Sequence, residues 1–196
     1  MSNKRNKKTF QLTVVGLMTA VATIIYMVLP EVQIVPGVDY MKVDFSDFPA
    51  ILTGVIFGPV QGILVEVFKN IIHLTRTTTG GIGEIMTVVI GSSMILSMSL
   101  SVKAFKKIFK SNKINLKIYF ISSAITVLVA IVMGWIANLV FTPIYFNIMG
   151  IPLVTETYLA GVWGSTTLNS IKALFNIIPF YPIYKILEKA IKKYTI

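Results

Sequence analysis

The sequence predicts an all-α integral membrane protein of six transmembrane helices with both termini in the cytoplasm. Three observations carry that reading. Hydrophobic residues make up 55% of the 196 positions and charged residues only 13%, about half the charged share of a soluble domain. The apolar residues gather in runs near the roughly 20 residues that a helix needs to cross a bilayer. Most basic residues fall in three clusters, Lys4 to Lys8, Lys103 to Lys117 and Lys185 to Lys193. Basic residues beside spans favour the cytoplasm, so an even number of crossings separates each pair of clusters.

The first apolar run, about 10–29, reads as a helix. Ala20-Val21-Ala22 resembles a cleavage site, but the run continues through Leu29, which marks a retained span. A long outer loop follows. Asp44-Phe45-Ser46-Asp47 then reads as a helix start, with Ser46 or Asp47 capping free N–H groups and Pro49 in the first turn.

Parity requires two crossings between 47 and 75. Gly58-Pro59 supplies the break between helices 47–58 and 60–74, because proline ends the helix before it. Both halves are shorter than a perpendicular span, as segments beside a binding cavity often are. The remaining helices are expected at about 83–102, 118–141 and 159–184, with Pro179 and Pro182 kinking the last. The whole chain, 1–196, reads as one membrane domain.

Several function classes drop out. With no cysteine, disulfides and thiolate chemistry are excluded, and the single histidine, His73, cannot build a multi-histidine metal site. No G-x-x-x-x-G-K-[ST], H-E-x-x-H or G-x-S-x-G occurs, so the expectation is a protein that is not an enzyme. The net charge of +10 sits beside the spans, where it meets anionic lipid rather than nucleic acid.

Five places in the chain are candidates for function. Asn169, Lys172 and Asn176 share one face of the last span, with Lys172 placed about two turns below its outer end. A lysine at that depth costs roughly 2.5–3.5 kcal/mol on insertion scales. Such a stripe either glues helices together or faces a ligand. Glu66, Lys69, Asn70 and His73 share a face of the third helix. Glu66 and Lys69 can neutralise each other, and His73 reads as a structural hydrogen bonder or a proton relay. The outer loop mixes Tyr40, Met41 and Phe45 with Asp39, Asp44 and Asp47, which suits a cover over an amphipathic aromatic ligand. Asn138, near Trp135, offers another amide. On the first helix, Gly16, Thr19, Ala20 and Thr23 form a small-residue face that lets another helix approach.

The run KVDFSDFPAILTGVIFGPVQGILVEVFKN at 42–70, joined with N-x-x-K at Asn169 and Lys172, resembles the riboflavin-binding S component of energy-coupling factor (ECF) vitamin transporters. The resemblance covers nearly the whole chain. It implies a multi-pass protein of the bacterial cell membrane that captures riboflavin in a cavity open to the outside. It also implies partners, a transmembrane T component and two ATP-binding-cassette ATPases, with docking through Gly16-x-x-x-Ala20. Carried over residue by residue, it points to Met41, Asp44, Phe45, Asn138, Asn169 and Lys172 as ligand contacts. Riboflavin is then the transported ligand, and no cofactor is implied. The alternatives are the same fold with another vitamin, or a proton-coupled carrier relaying protons through Glu66 or His73.

Overall fold

The computed structural model describes residues 2–29, 32–33, 42–150 and 152–191, so Asp39 and Met41 lie outside the described residues. Seven helices follow in order: α1 Ser2–Val28, α2 Phe48–Phe57, α3 Pro59–His73, α4 Ile82–Ile108, α5 Leu116–Ile148, α6 Thr155–Ile177 and α7 Phe180–Ile191. A 3-10 turn, Leu74–Arg76, leaves α3. Between α1 and α2, where the sequence reads as loop, Val32 pairs with Val43 and Gln33 with Lys42 in a short antiparallel ladder. The ladder gives that stretch backbone partners of its own.

Hydropathy and length make α1 (from Lys8), α4 and α5 capable of crossing a membrane. α2 and α3, with 10 and 15 residues, are half-length segments folded back on each other. Gly58 takes φ 121° and Pro59 starts α3, so the break falls where the Gly-Pro pair places it. The two arms close tightly. A Cβ on Gly62 would lie 2.6 Å from the Ala50 carbonyl oxygen and 2.8 Å from Gly54 Cα, a separation only glycine tolerates.

α1 and α4 run beyond the expected spans, to Ser2 and Ile108, and two further departures lie at prolines. α5 passes straight through Pro143 to Ile148. Proline frees the carbonyl four residues earlier, and here the Tyr158 hydroxyl lies 3.5 Å from that oxygen, on Leu139. The last span, expected as one kinked helix, is divided into α6 and α7 at Ile178-Pro179. Tyr119 donates its hydroxyl to the Ile177 carbonyl at 3.2 Å, so the broken end is satisfied from α5 rather than by water.

Ring contacts fix how the helices run. Phe10, early in α1, meets Phe57 at the end of α2. Tyr26, late in α1, stacks on His73 at the end of α3, and Tyr119, early in α5, stacks on Phe180 at the start of α7. His73 also meets Glu84 at the start of α4, and Tyr119 meets Ile177 at the end of α6. The neighbours α1/α2, α2/α3, α3/α4 and α5/α6 therefore run antiparallel. Their hydroxyls turn back onto their own backbones: Ser93 to Ile90, Ser97 to Met94 and Thr126 to Ser122. That pattern keeps polar groups paired in an apolar surround.

The small-residue face of α1 is split. Gly16 and Ala20 are exposed, whereas Thr19 is buried and Thr23 half-buried. Nothing lies within 4 Å of where a Gly16 Cβ would stand.

Candidate functional site

Two lysines from different helices meet one set of carboxylates. Lys69 on α3 donates to Ser46 Oγ at 3.0 Å, Asp47 Oδ1 at 2.5 Å and Glu66 at 2.9 Å. An ammonium has three N–H donors, so Lys69 is fully occupied. Lys172 on α6 ion-pairs with Asp44 Oδ2 and Asp47 Oδ2, each at 3.2 Å. Asp47, Glu66 and Lys69 are completely buried, and Asp44 and Lys172 nearly so. Three carboxylates thus face two ammonium groups at the start of α2, with Asp47 shared between the lysines.

The segment before α2 is built for this role. Asp44 Oδ1 accepts from the Ser46 backbone N–H at 2.7 Å and from the Ser46 hydroxyl, a local turn that serine and aspartate favour. The Asp44 carbonyl accepts from Asn176 Nδ2 at 2.9 Å. Capping by Ser46 or Asp47, as expected from sequence, does not occur: Asp47 occupies the cap position, but its side chain makes no capping bond. The carboxylate turns to the two lysines instead, because a buried ammonium needs a counter-charge more than a helix end needs a cap.

Beside this cluster lies a cavity that opens to one side and is lined by both polar and apolar side chains. α5 contributes Asn138, Thr142 and Tyr145, and α6 contributes Leu168, Asn169 and Lys172. The third wall is Thr79 with Ile82, Gly83, Met86, Thr87 and Ile90 at the start of α4. Each amide is held by its own helix: Asn138 Nδ2 donates to the Gly134 carbonyl at 2.9 Å and Asn169 Nδ2 to the Ser165 carbonyl at 2.7 Å. Thr142 donates its hydroxyl to Asn138 Oδ1 at 3.1 Å. α5 makes room for Asn169 with Gly134, where a Cβ would come within 2.0 Å of Asn169 Nδ2. Amides and hydroxyls around an apolar floor suit a flat ligand with a polar edge and a hydroxylated chain.

Three of the expected residues, Asn138, Asn169 and Lys172, come together on this cavity. Asp44 reaches it through Lys172. Phe45 does not line it and stacks instead on Phe175, with ring centroids 5.0 Å apart. Asn176 leaves the stripe for the Asp44 carbonyl. Lys172 stands nearer the end of α6 than its beginning, deeper than two turns below the outer end. Trp135 faces outward beside Trp163. The α4 wall escaped the sequence reading, although 79, 82, 83, 86, 87 and 90 repeat with helical spacing.

Comparison with known proteins adds the context. Residues 10–184 match the family model for the substrate-specific component of ECF transporters. The riboflavin transporter FmnP of Bacillus subtilis (strain 168) is 27% identical over 182 residues, covering 90% of this chain and 91% of that protein. The riboflavin transporter RibU of Staphylococcus aureus (strain TCH60) is 26% identical over 193 residues, covering 98% and 96%. A solved S component of a bacterial ECF transporter superposes with a TM-score of 0.67, covering 94% of this chain and 99% of its own. At 22% identity that likeness is one of fold.

Proposed function

From the premise that the chain belongs to the ECF transporter family of substrate-specific components, we propose that it captures riboflavin and delivers it across the membrane. Members of that family work with a T component and ATPases, and the chain is an integral protein of the bacterial cell membrane. Two relatives named as riboflavin transporters support the choice of vitamin.

The observation that carries the reading is the cavity where Asn138, Asn169 and Lys172 converge. The apolar side chains of Ile82, Met86, Ile90 and Leu168 cover the isoalloxazine. The two amides and Lys172 bond its carbonyls or the ribityl hydroxyls. Two carboxylates already neutralise Lys172, which suits an uncharged ligand that takes an N–H without having to supply a counter-charge. In this reading riboflavin is cargo, the chain carries no cofactor and performs no catalysis, and ATP is used by two partner ATPases. The three basic clusters place both termini and the 109–115 connection in the cytoplasm. Purified protein is expected to quench riboflavin fluorescence saturably at one ligand per chain. No quenching by folded, ligand-free protein would sink the assignment.

The exposed Gly16 and Ala20 face of α1 is the surface offered to the T component. Ala20→Trp is expected to abolish ATP-driven uptake in the complete transporter while riboflavin binding by the isolated subunit stays within about 3-fold. Equal loss of both would place that face inside the subunit.

A further inference from the structure

Glu84 belongs neither to the ionic cluster nor to the cavity lining, yet its carboxylate gathers one rim of the cavity. It sits in the first turn of α4 and is 4% exposed. His73 Nδ1 lies 2.9 Å from Oε1, and the Thr77 and Thr79 hydroxyls donate to Oε2 at 3.0 and 3.2 Å. Those hydroxyls then accept backbone N–H groups. Thr77 Oγ1 takes Thr79 and Gly81 at 3.2 and 3.1 Å, and Thr79 Oγ1 takes Gly83 at 3.0 Å. One carboxylate therefore folds the whole connection from α3 to α4, and Thr79 and Gly83 present the result to the cavity.

The same network reaches α1. The His73 ring stacks on Tyr26 with centroids 3.7 Å apart and planes 10° from parallel. Arg76 donates to the Met27 carbonyl at 3.3 Å. On the other side, a Cβ at Gly80 would meet Ile148, the last residue of α5, and Met149 just beyond it, each at 3.5 Å. The rim spans the outer ends of α1, α3, α4 and α5, and Glu84 is the group on which its hydrogen bonds converge.

We propose that Glu84 is a positioning residue for ligand retention, holding the 77–83 rim against the cavity and tying it through His73 to Tyr26 of α1. The inference rests on the riboflavin reading above. Without the carboxylate, both threonines lose their shared acceptor and the rim is free to leave the ligand. Bound ligand then escapes faster, while approach to the cavity is little changed.

The test is stopped-flow fluorescence of riboflavin release from purified parent, Glu84→Ala and Glu84→Gln proteins. Glu84→Ala is expected to release riboflavin about 10-fold faster, with association within about 3-fold, since the lost bonds act on the bound state. Glu84→Gln keeps an acceptor oxygen for the threonines and stays within about 3-fold of the parent. If Glu84→Ala does not fold, Thr77→Val leaves the carboxylate in place, removes one strut and is read in the same way. Parental release from a folded Glu84→Ala, even with a lowered melting temperature, overturns the proposal and leaves Glu84 a purely structural residue. A parent that binds no riboflavin overturns the ligand assignment instead.

Discussion

Replacing Lys69 by Met is expected to cost about 3–5 kcal/mol of stability, the usual penalty for removing one partner of a buried ion pair. The side chain is completely buried and serves Ser46, Asp47 and Glu66 at once. Without it, Asp44, Asp47 and Glu66 are left with the single ammonium of Lys172, and Asp47 and Glu66 are completely buried. Thermal unfolding in detergent, read from the tryptophans, measures the loss. Glu66→Gln in the same chain is expected to recover part of it, because it removes the carboxylate 2.9 Å from the missing ammonium. A Lys69→Met protein that melts with the parent would show that the cluster contributes nothing to holding α2 against α3.

Lys172→Ala is expected to act chiefly on binding, weakening riboflavin by about 1–3 kcal/mol, roughly 5- to 150-fold. Lys172 resembles Lys69 in burial but not in its bonds. It pairs with two carboxylates and also lines the cavity, whereas Lys69 has all three donors taken within the protein. The substitution leaves a ligand acceptor facing an unfilled space. It also leaves Asp44 and Asp47 with less counter-charge, so some stability goes with it. Lys172→Arg keeps the charge and separates the two effects: stability near the parent, with affinity still reduced because a planar guanidinium cannot stand where the ammonium stood. Affinity from fluorescence quenching, beside a melting curve for each variant, provides the comparison. If folded Lys172→Ala binds riboflavin like the parent, the α6 stripe is helix glue and the site lies elsewhere.

Much of this was legible in the chain because a bilayer restricts the solutions. Lipid offers no hydrogen bonds, so long apolar runs must be helices. Gly58-Pro59 breaks the 47–74 stretch into two arms for purely local reasons, the positive φ at one residue and the missing N–H at the next. The helical spacing of Asn169 and Lys172 placed them on one face, and the structure keeps them there on one cavity. Local rules failed where a distant side chain changed the balance. Pro143 should end a helix, but Tyr158 from α6 reaches the carbonyl that it frees. Asp47 should cap α2, but lysines from α3 and α6 draw its carboxylate away.

The sequence by itself determined the fold class, the alternation of helices and the shared face of Asn169 and Lys172 on α6. All of these follow from composition and period along a single helix, which the chain carries locally. Only the tertiary structure decided which lysine is spent and which remains available, since Lys69 and Lys172 look alike in sequence. Each meets two carboxylates once α2, α3 and α6 pack together; the difference is that Ser46 takes the third donor of Lys69, whereas Lys172 borders the cavity. The α4 wall and the Glu84 rim were likewise settled by packing. A carboxylate, a histidine and two threonines within twelve residues become one network only when the turn after α3 brings them within 3.2 Å.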